Sequence, residues 1–420
     1  MLNNKRLIRL CFCLFFFCMA SKVSAQLTVN ALVDTRLVSS NEAVSWLNEG
    51  LGKQRFDTDH QGLTLGQLIA VANYRVEDTL SINVAANMYS DRKNLADISE
   101  AYVSWKPVPT SSWRIKTKMG AFFPAISLEN TGLGWTNPWM ISSSAINTWL
   151  GEELRTLGGE VTVSHQGMFE ASPHDIELVV ASFKANDPAG ALLAWRGWSL
   201  GDRITGLTER ILLPDIPTYA EGGQLARQVN WEEIGHEIDG RAGYYYGLGY
   251  SYAGWLKVKA YHYDNRGNPL VQQKGQYAWD TQFDSVSFKV ELPQDWTVMG
   301  QFMDGYTAMG RIARGAVLDF QAYYGLLSKR LGDHRITVRF DRFSTTDLDK
   351  TLHDNNNETG NAVAVCWSFQ ATEASQWGVE YLRISSHRPE RAYLDEEYGG
   401  GLYAGNLAET TVQAFFRYKF

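Results

Sequence analysis

The end of the chain constrains its fold more than any other part. Thr410 to Phe420 reads T-T-V-Q-A-F-F-R-Y-K-F. Val412, Ala414, Phe416, Tyr418 and Phe420 form one apolar face. Thr411, Gln413, Arg417 and Lys419 fall on the other, with Phe415 among them. Successive side chains of a strand point to opposite faces, so this alternation predicts a strand with one greasy and one wet side. Two architectures use such a strand: a soluble sandwich that buries the greasy side, and a membrane barrel that turns it to lipid.

The other end favours export. Lys5, Arg6 and Arg9 precede an apolar run from Leu10 to Ala20, and Val23, Ser24 and Ala25 precede Gln26. That is the layout of a cleavable secretory signal over residues 1–25. The run is too short to span a bilayer, so a helical anchor is not expected. Phe16 and Phe17 stand where a lipoprotein signal needs small residues before Cys18. Cys11, Cys13 and Cys18 leave with the signal, and Cys366 alone remains. One cysteine makes no disulfide scaffold, so stability must come from a large hydrogen-bonded architecture. The signal carries Lys5, Arg6, Arg9 and Lys22 and no acid, so its removal takes the formal charge from −7 to −11. That balance argues against a nucleic-acid partner.

The mature chain has no apolar run approaching the roughly 20 residues of a spanning helix. It is nevertheless rich in aromatics and glycine, with 14 Trp, 20 Tyr, 15 Phe and 37 Gly against 11 Pro. A membrane barrel wants aromatic girdles, an apolar band one residue thick and a polar interior.

Strands of about 9–11 residues, even in number, with short turns alternating with long loops, are the pattern to look for. Seven strands precede residue 185: 27–38, 63–74, 79–89, 98–106, 113–121, 157–165 and 175–184. Nine follow residue 240: 241–252, 255–263, 277–291, 296–303, 316–328, 335–345, 361–369, 377–385 and 409–420. The expectation is therefore an all-β, transmembrane antiparallel β-barrel of 16 strands over residues 26–420. With both termini periplasmic, every short turn falls on the periplasmic side and every long loop outside. A hairpin within Ala191–Leu200 would raise the count to 18. Residues 122–156 read as a candidate constriction loop, and residues 185–240, with Pro188, Pro214 and Pro217, as a large external loop. No repeat or linker divides the chain.

Parity assigns the faces. Trp113, Ile115, Thr117 and Met119 face lipid, which sends Arg114, Lys116 and Lys118 inward. Leu256, Val258 and Ala260 face lipid, which sends Lys257 and Lys259 inward. Ile336, Val338 and Phe340 face lipid, which sends Arg335, Arg339 and Asp341 inward. A lipid-facing Lys or Arg costs roughly 2–4 kcal/mol at the midplane, so basic residues sharing one parity mark the wet wall. Asp34, Asp319, Asp341 and Glu380 are the candidate inner acids. The wall would bias a water-filled channel toward anions, unless the two signs balance. The candidate constriction loop holds Trp135, Trp139 and Trp149 with Glu129, Glu152, Glu153 and Arg155. Its carboxylates, set against a basic wall, would place a field across a narrow opening. A loop packed on the rim is the alternative.

Three features together resemble a known family. The segment I-S-E-A-Y-V-S-W-K-P at 98–107, the stretch 277–309 with W-D-T-Q-F-D-S and M-G-Q-F-M-D-G-Y-T-A-M-G, and the terminal Phe420 resemble Gram-negative outer-membrane porins of the 16-stranded phosphate-selective type. The likeness implies outer-membrane lipids as surroundings, insertion by the barrel-assembly machinery through Phe420, small hydrophilic solutes as cargo and a homotrimer. The family's arginine ladder and lysine cluster have no residue-by-residue match, so phosphate selectivity is not implied.

No Walker-type loop, zinc-ligand pair or nucleophile elbow is present, and the eight His are scattered. No enzyme, cofactor or metal is expected. D-N-N-N-E at 354–358 offers oxygen ligands for Ca²⁺, but such a run is more often simply a solvated loop. Two function classes remain: a passive channel, and a plugged barrel that binds partners through residues 185–240.

Overall fold

In the computed structural model the chain is described over residues 26–41, 43–91, 95–311, 314–394 and 405–420. The signal-peptide expectation, residues 1–25, lies outside them. Sixteen antiparallel strands close into one barrel. In chain order they are β1 Gln26–Ser40, β2 Gly62–Glu77, β3 Leu80–Met88, β4 Ala96–Trp105, β5 Trp113–Phe122, β6 Thr156–Gln166, β7 His174–Lys184 and β8 Gly243–Tyr252. They continue as β9 Leu256–Asp264, β10 Asp280–Leu292, β11 Trp296–Arg311, β12 Arg314–Leu331, β13 His334–Asp347, β14 Glu358–Gln370, β15 Ser375–His387 and β16 Asn406–Lys419. Each strand pairs with its sequence neighbours, and β1 pairs with β16 to close the seam.

The alternation that the sequence showed is the reason these residues are strands. In β14 every second side chain is buried and the others are exposed. Val363, Val365 and Trp367 lie outside, whereas Ala362, Ala364 and Cys366 lie inside. Closure removes the sheet edge, so the strands of the wall satisfy one another's backbone groups around the ring, as a bilayer demands. Exposed Leu27, Val29, Ile115, Met119, Val286, Phe302, Ile336, Val338 and Phe340 make the outward apolar band. Trp113, Trp255, Trp367 and Trp377 are exposed near the short-turn end, as an aromatic girdle requires.

The 18-strand alternative is not realised. Residues 191–195 form a short buried helix, α2 (Ala191–Trp195), instead of a hairpin. Two small ribbons, Ile211–Leu212 with Trp231–Glu232 and Gln272–Gln273 with Gln276–Tyr277, stand apart from the barrel.

The larger correction concerns residues 185–240. They leave and rejoin the wall at its external end but do not spread outside it. Leu192, Leu193, Trp195, Trp198, Leu200, Leu213, Ile216 and Ile234 are all buried, packed in one core with inward side chains of the wall. An apolar segment of this composition has nothing to gain from water, and the lumen offers it a surface. Residue parity also fails once: Asp319 is exposed and faces outward, because its neighbours Leu318 and Phe320 take the inner face of β12.

Candidate functional site: the occupied lumen

Two segments enter the barrel. The first, residues 123–155, joins β5 to β6 and carries helix α1 (Ala145–Glu153). Glu129 organises it. Its carboxylate accepts hydrogen bonds from Asn137 Nδ2 at 2.9 Å, Ser144 Oγ at 2.6 Å and Asn147 Nδ2 at 2.8 Å. Ser144 caps α1 by accepting from the Asn147 N–H. The wall then grips the segment. Arg339 of β13 reaches Glu129 at 3.0 Å and Asp341 at 2.8 Å, and donates to the Ser142 and Ser143 carbonyls. Glu380 accepts the Ile141 and Ser142 N–H groups, and Asp341 accepts the Ala145 N–H. A carboxylate at the first turn also complements the helix dipole.

The second segment, residues 185–240, lies at the external half. Trp149 of α1 meets Trp198, Phe283 and Phe320 edge to face, at ring separations of 6.0, 5.5 and 5.2 Å. Trp195 packs on Trp279 and Tyr219 at 5.1 and 5.4 Å. Fully burying an aromatic or aliphatic side chain stabilises by ~1.5–3 kcal/mol, so this core seats the segment firmly. Polar clamps surround it. Lys53 Nζ donates to the Arg196 carbonyl and pairs with Glu358, which accepts the Trp198 N–H. Arg388 and Asn356 both donate to the Ala194 carbonyl.

Along the β16–β1 seam a chain of alternating charges leads from the wall into the second segment. Arg417 meets Asp34 at 2.8 Å, Asp34 meets Arg36 at 2.9 Å, and Arg36 meets Asp202. Asp202 meets Arg55 at 3.3 Å, which pairs with Asp91; Asp91 meets Arg203 at 3.1 Å, which pairs with Glu209. Burial opposes ionisation of Asp202, but Arg36 and Arg55 outweigh it and hold its pKa well below the usual carboxylate range.

The expected site residues divide accordingly. Arg339 is an anchor with no exposed surface, so it does not line open water. Glu152 and Glu153 do not face a basic wall across a gap. Glu152 pairs with Arg196, and Glu153 accepts the Trp149 Nε1–H and the Leu192 N–H. Trp149 is in the core, and Arg155 donates to the Gly151, Leu154 and Thr205 carbonyls with its guanidinium 3.5 Å from the Phe123 ring. Trp135 stacks on Phe123 at 4.3 Å. The helix turned these groups away from the opening because its apolar partner, residues 185–240, lies inside the barrel.

The remaining cations do lie together. Arg114, Lys116, Lys118 and Lys259 are partly exposed and Lys257 is exposed, on the inner face of β5 and β9 toward the short-turn end. Lys118 meets Glu160 at 2.9 Å, and Lys259 meets Glu177 at 3.5 Å across Gly249. A Cβ on Gly249 would approach the Glu177 Cβ to 3.2 Å, so glycine keeps that gap open. Arg114 donates to Gln166 Oε1 and covers Phe169. Arg335 and Lys289 flank Trp139, the tip of the first segment, at 4.8 and 5.0 Å from its ring. Lys289 was missed in the sequence; it stands opposite Lys257 in the β9–β10 register, and the alternation Ser285, Ser287, Lys289 carried the signal. Asn73, Asn83 and Thr162 continue this partly exposed polar wall.

At the external end a cavity of about 690 Å³ is lined by Asp91, Asp97, Arg203, Thr205 and Trp231 among others. Ile204, next to Thr205, packs with Tyr89, Phe123 and Trp135.

A closed 16-stranded barrel with an inward-folded segment after its fifth strand is a fold of Gram-negative outer-membrane porins. Among solved structures the chain is similar to the outer membrane channel DcaP of Acinetobacter baumannii, with a TM-score of 0.56 and 12% identity over 96% of this chain and 99% of that one. It is also similar to OmpT, an outer membrane protein of Vibrio cholerae. The loop L8 deletion mutant gives a TM-score of 0.51 at 9% identity over 95% of this chain and 100% of that one. The trimer form gives 0.50 at 9% identity, with the same coverage. No family model and no curated relative matches the sequence. At these identities the likeness is one of fold.

Proposed function

We propose that this protein is an outer-membrane porin through which small hydrophilic solutes or ions diffuse passively, with a bias toward anions. The observation that carries the reading is the polar, partly exposed inner wall bearing Lys116, Lys118, Lys257, Lys259 and Lys289. Lys118, Lys259 and Lys289 share Glu160, Glu177 and Glu291, whereas Lys116 and Lys257 meet no carboxylate at ion-pair distance among the described residues, and this surplus of cations raises the local concentration of anions. Residues 123–155 act in this reading as the constriction and residues 185–240 as an inner cap. The outward apolar band takes membrane lipid, Phe420 serves the barrel-assembly machinery, and the trimer form of OmpT supports a homotrimer.

Planar-bilayer currents under a salt gradient test it. Stepwise conductance with an anion-favouring reversal potential is expected. Replacing Lys257 and Lys289 together by Glu should move that potential toward cations. A cation-favouring potential from the unmodified protein would reject the polarity.

A second reading is favoured by the apolar core over the external half: a plugged barrel used for surface binding. It predicts a folded, heat-modifiable barrel that shows no steps.

A further inference from the structure

The outer surface carries a charge pattern that the channel does not use. On β13 to β16 the outward residues from the short-turn end are apolar: Ile336, Val338 and Phe340, then Val363, Val365 and Trp367, then Val379 and Tyr381. Toward the external end the same faces change character. Arg342 follows Phe340, Asn361 follows Val363, and Arg383, Ser385 and His387 follow Tyr381. Arg342 and Arg383 are both exposed. Among the described residues neither meets a carboxylate.

No Asp or Glu faces outward on these four strands among the described residues. Asp341, Glu358, Glu380 and Glu409 are buried on the lumen side, and Asp347, partly exposed at the end of β13, shares their parity. The outward acids stand elsewhere, at Asp284, Asp304 and Asp319 of β10 to β12, where Asp284 engages His262. A groove of about 540 Å³ lies on the basic half, lined by Arg342, Thr359, Asn361, Ser385, His387 and Asn406 among others.

An outward arginine is costly at the bilayer midplane and nearly free at its edge, where water and headgroups begin. Its planar fork pairs well with phosphate oxygens. Arg342 is in register with Asn361 and, through it, with Ser385, so Arg383 lies two strands over and two residues nearer the midplane, roughly 12 Å away at the usual strand spacing and rise. That separation suits two phosphates on one headgroup better than one phosphate shared. Hydroxyl and amide groups between them can serve the sugar or glycerol oxygens of such a headgroup.

We propose that this groove and the wall beside it hold the phosphorylated headgroup of a lipid of the outer leaflet, with Arg342 in the groove and Arg383 next to it on the membrane side pairing its phosphates, and Asn361, Ser385 and Asn406 hydrogen-bonding between them. The inference rests on the reading of the chain as an outer-membrane barrel with its long-loop end outward, but not on its conducting.

The mature protein in detergent would be titrated with bisphosphorylated lipid A and with lipid A stripped of both phosphates, and bound lipid counted by native mass spectrometry. A preference of about tenfold or more for the phosphorylated form is expected from two interfacial arginines. Arg342→Gln with Arg383→Gln should abolish the preference while leaving heat-modifiability and channel conductance unchanged. Arg342→Lys with Arg383→Lys should keep part of it at low salt. Equal retention of both lipids, or a full preference in the Gln variant, overturns the proposal. Displacement of the lipid by millimolar inorganic phosphate also overturns it, since that marks a free-anion site. Should the Gln variant fail to assemble, the unmodified protein decides: a preference unchanged in molar salt rules out phosphate pairing.

Discussion

Arg339 shows how little an inner cation says by itself. Parity places it on the lumen face of β13, as it places Lys257 on β9. Yet Lys257 meets water, and Arg339 is enclosed by Glu129, Asp341 and two carbonyls. Its acid partner Glu129 is 210 positions away in sequence, so no local pattern could have announced the pair. Removing one member of a buried pair costs about 3–5 kcal/mol, because the remaining charge is left uncompensated. Arg339→Gln should therefore loosen residues 123–155 from the wall. Single-channel recordings should show larger and noisier steps, with little change in noise for Lys289→Gln on the hydrated wall. Steps of unchanged size and noise in Arg339→Gln would mean that the segment is held by other contacts.

At the scale of elements, the sixteen strands were legible because lipid on one side and water or packed polar groups on the other impose a strict period of two. The strand ends were less so. β11 and β12 run to Arg311 and Arg314, beyond the alternation that the sequence displays, because their outer ends are covered from inside. Residues 185–240 were misplaced because three prolines and many polar residues read as an external loop. The contrary signal was present in A-L-L-A-W at 191–195, with Trp198 and Leu200 following: an external loop has no use for so many apolar side chains. The segment can be removed without touching a barrel strand. Replacing residues 188–238 by a short Gly-Ser linker should leave a heat-modifiable barrel whose conductance is several-fold larger. A variant that still folds and conducts no better would show that residues 123–155 alone set the resistance.

The whole molecule should respond to pH through its contents. Burial, with Arg388 opposing it, pushes the Glu390 carboxyl up to about 7. Burial and then Glu390 push Asp354 well up, and burial and then Glu153 push Glu232 well up, with Arg196 opposing. Acids raised in the folded state contribute stability that is complete below their unfolded values near 4–4.5 and is lost as pH rises through 7. Asp202 and Asp91 are depressed, so their contribution is present above about 4 and lost in strong acid. The two sets together make the seating of residues 185–240 tightest at about pH 4–4.5. Mean conductance should rise between pH 5 and pH 8.5, and Glu390→Gln should blunt the rise. A flat or falling profile would contradict this.

The seam where the first strand meets the last has its own consequence. Asp34 of β1 holds both Arg36 on its own strand and Arg417 on β16, while Arg36 also reaches Gln413 of β16 and Asp202 of the inner cap. Phe420 adds backbone hydrogen bonds to Ala31 across the same seam. The two edges of the cylinder are thus stitched through Asp34, and its partner Arg36 also anchors the inner cap. Such a vessel loses one rivet when it is emptied, the Arg36–Asp202 pair, while Asp34 still clasps Arg36 and Arg417, so the join slackens but outlasts its filling.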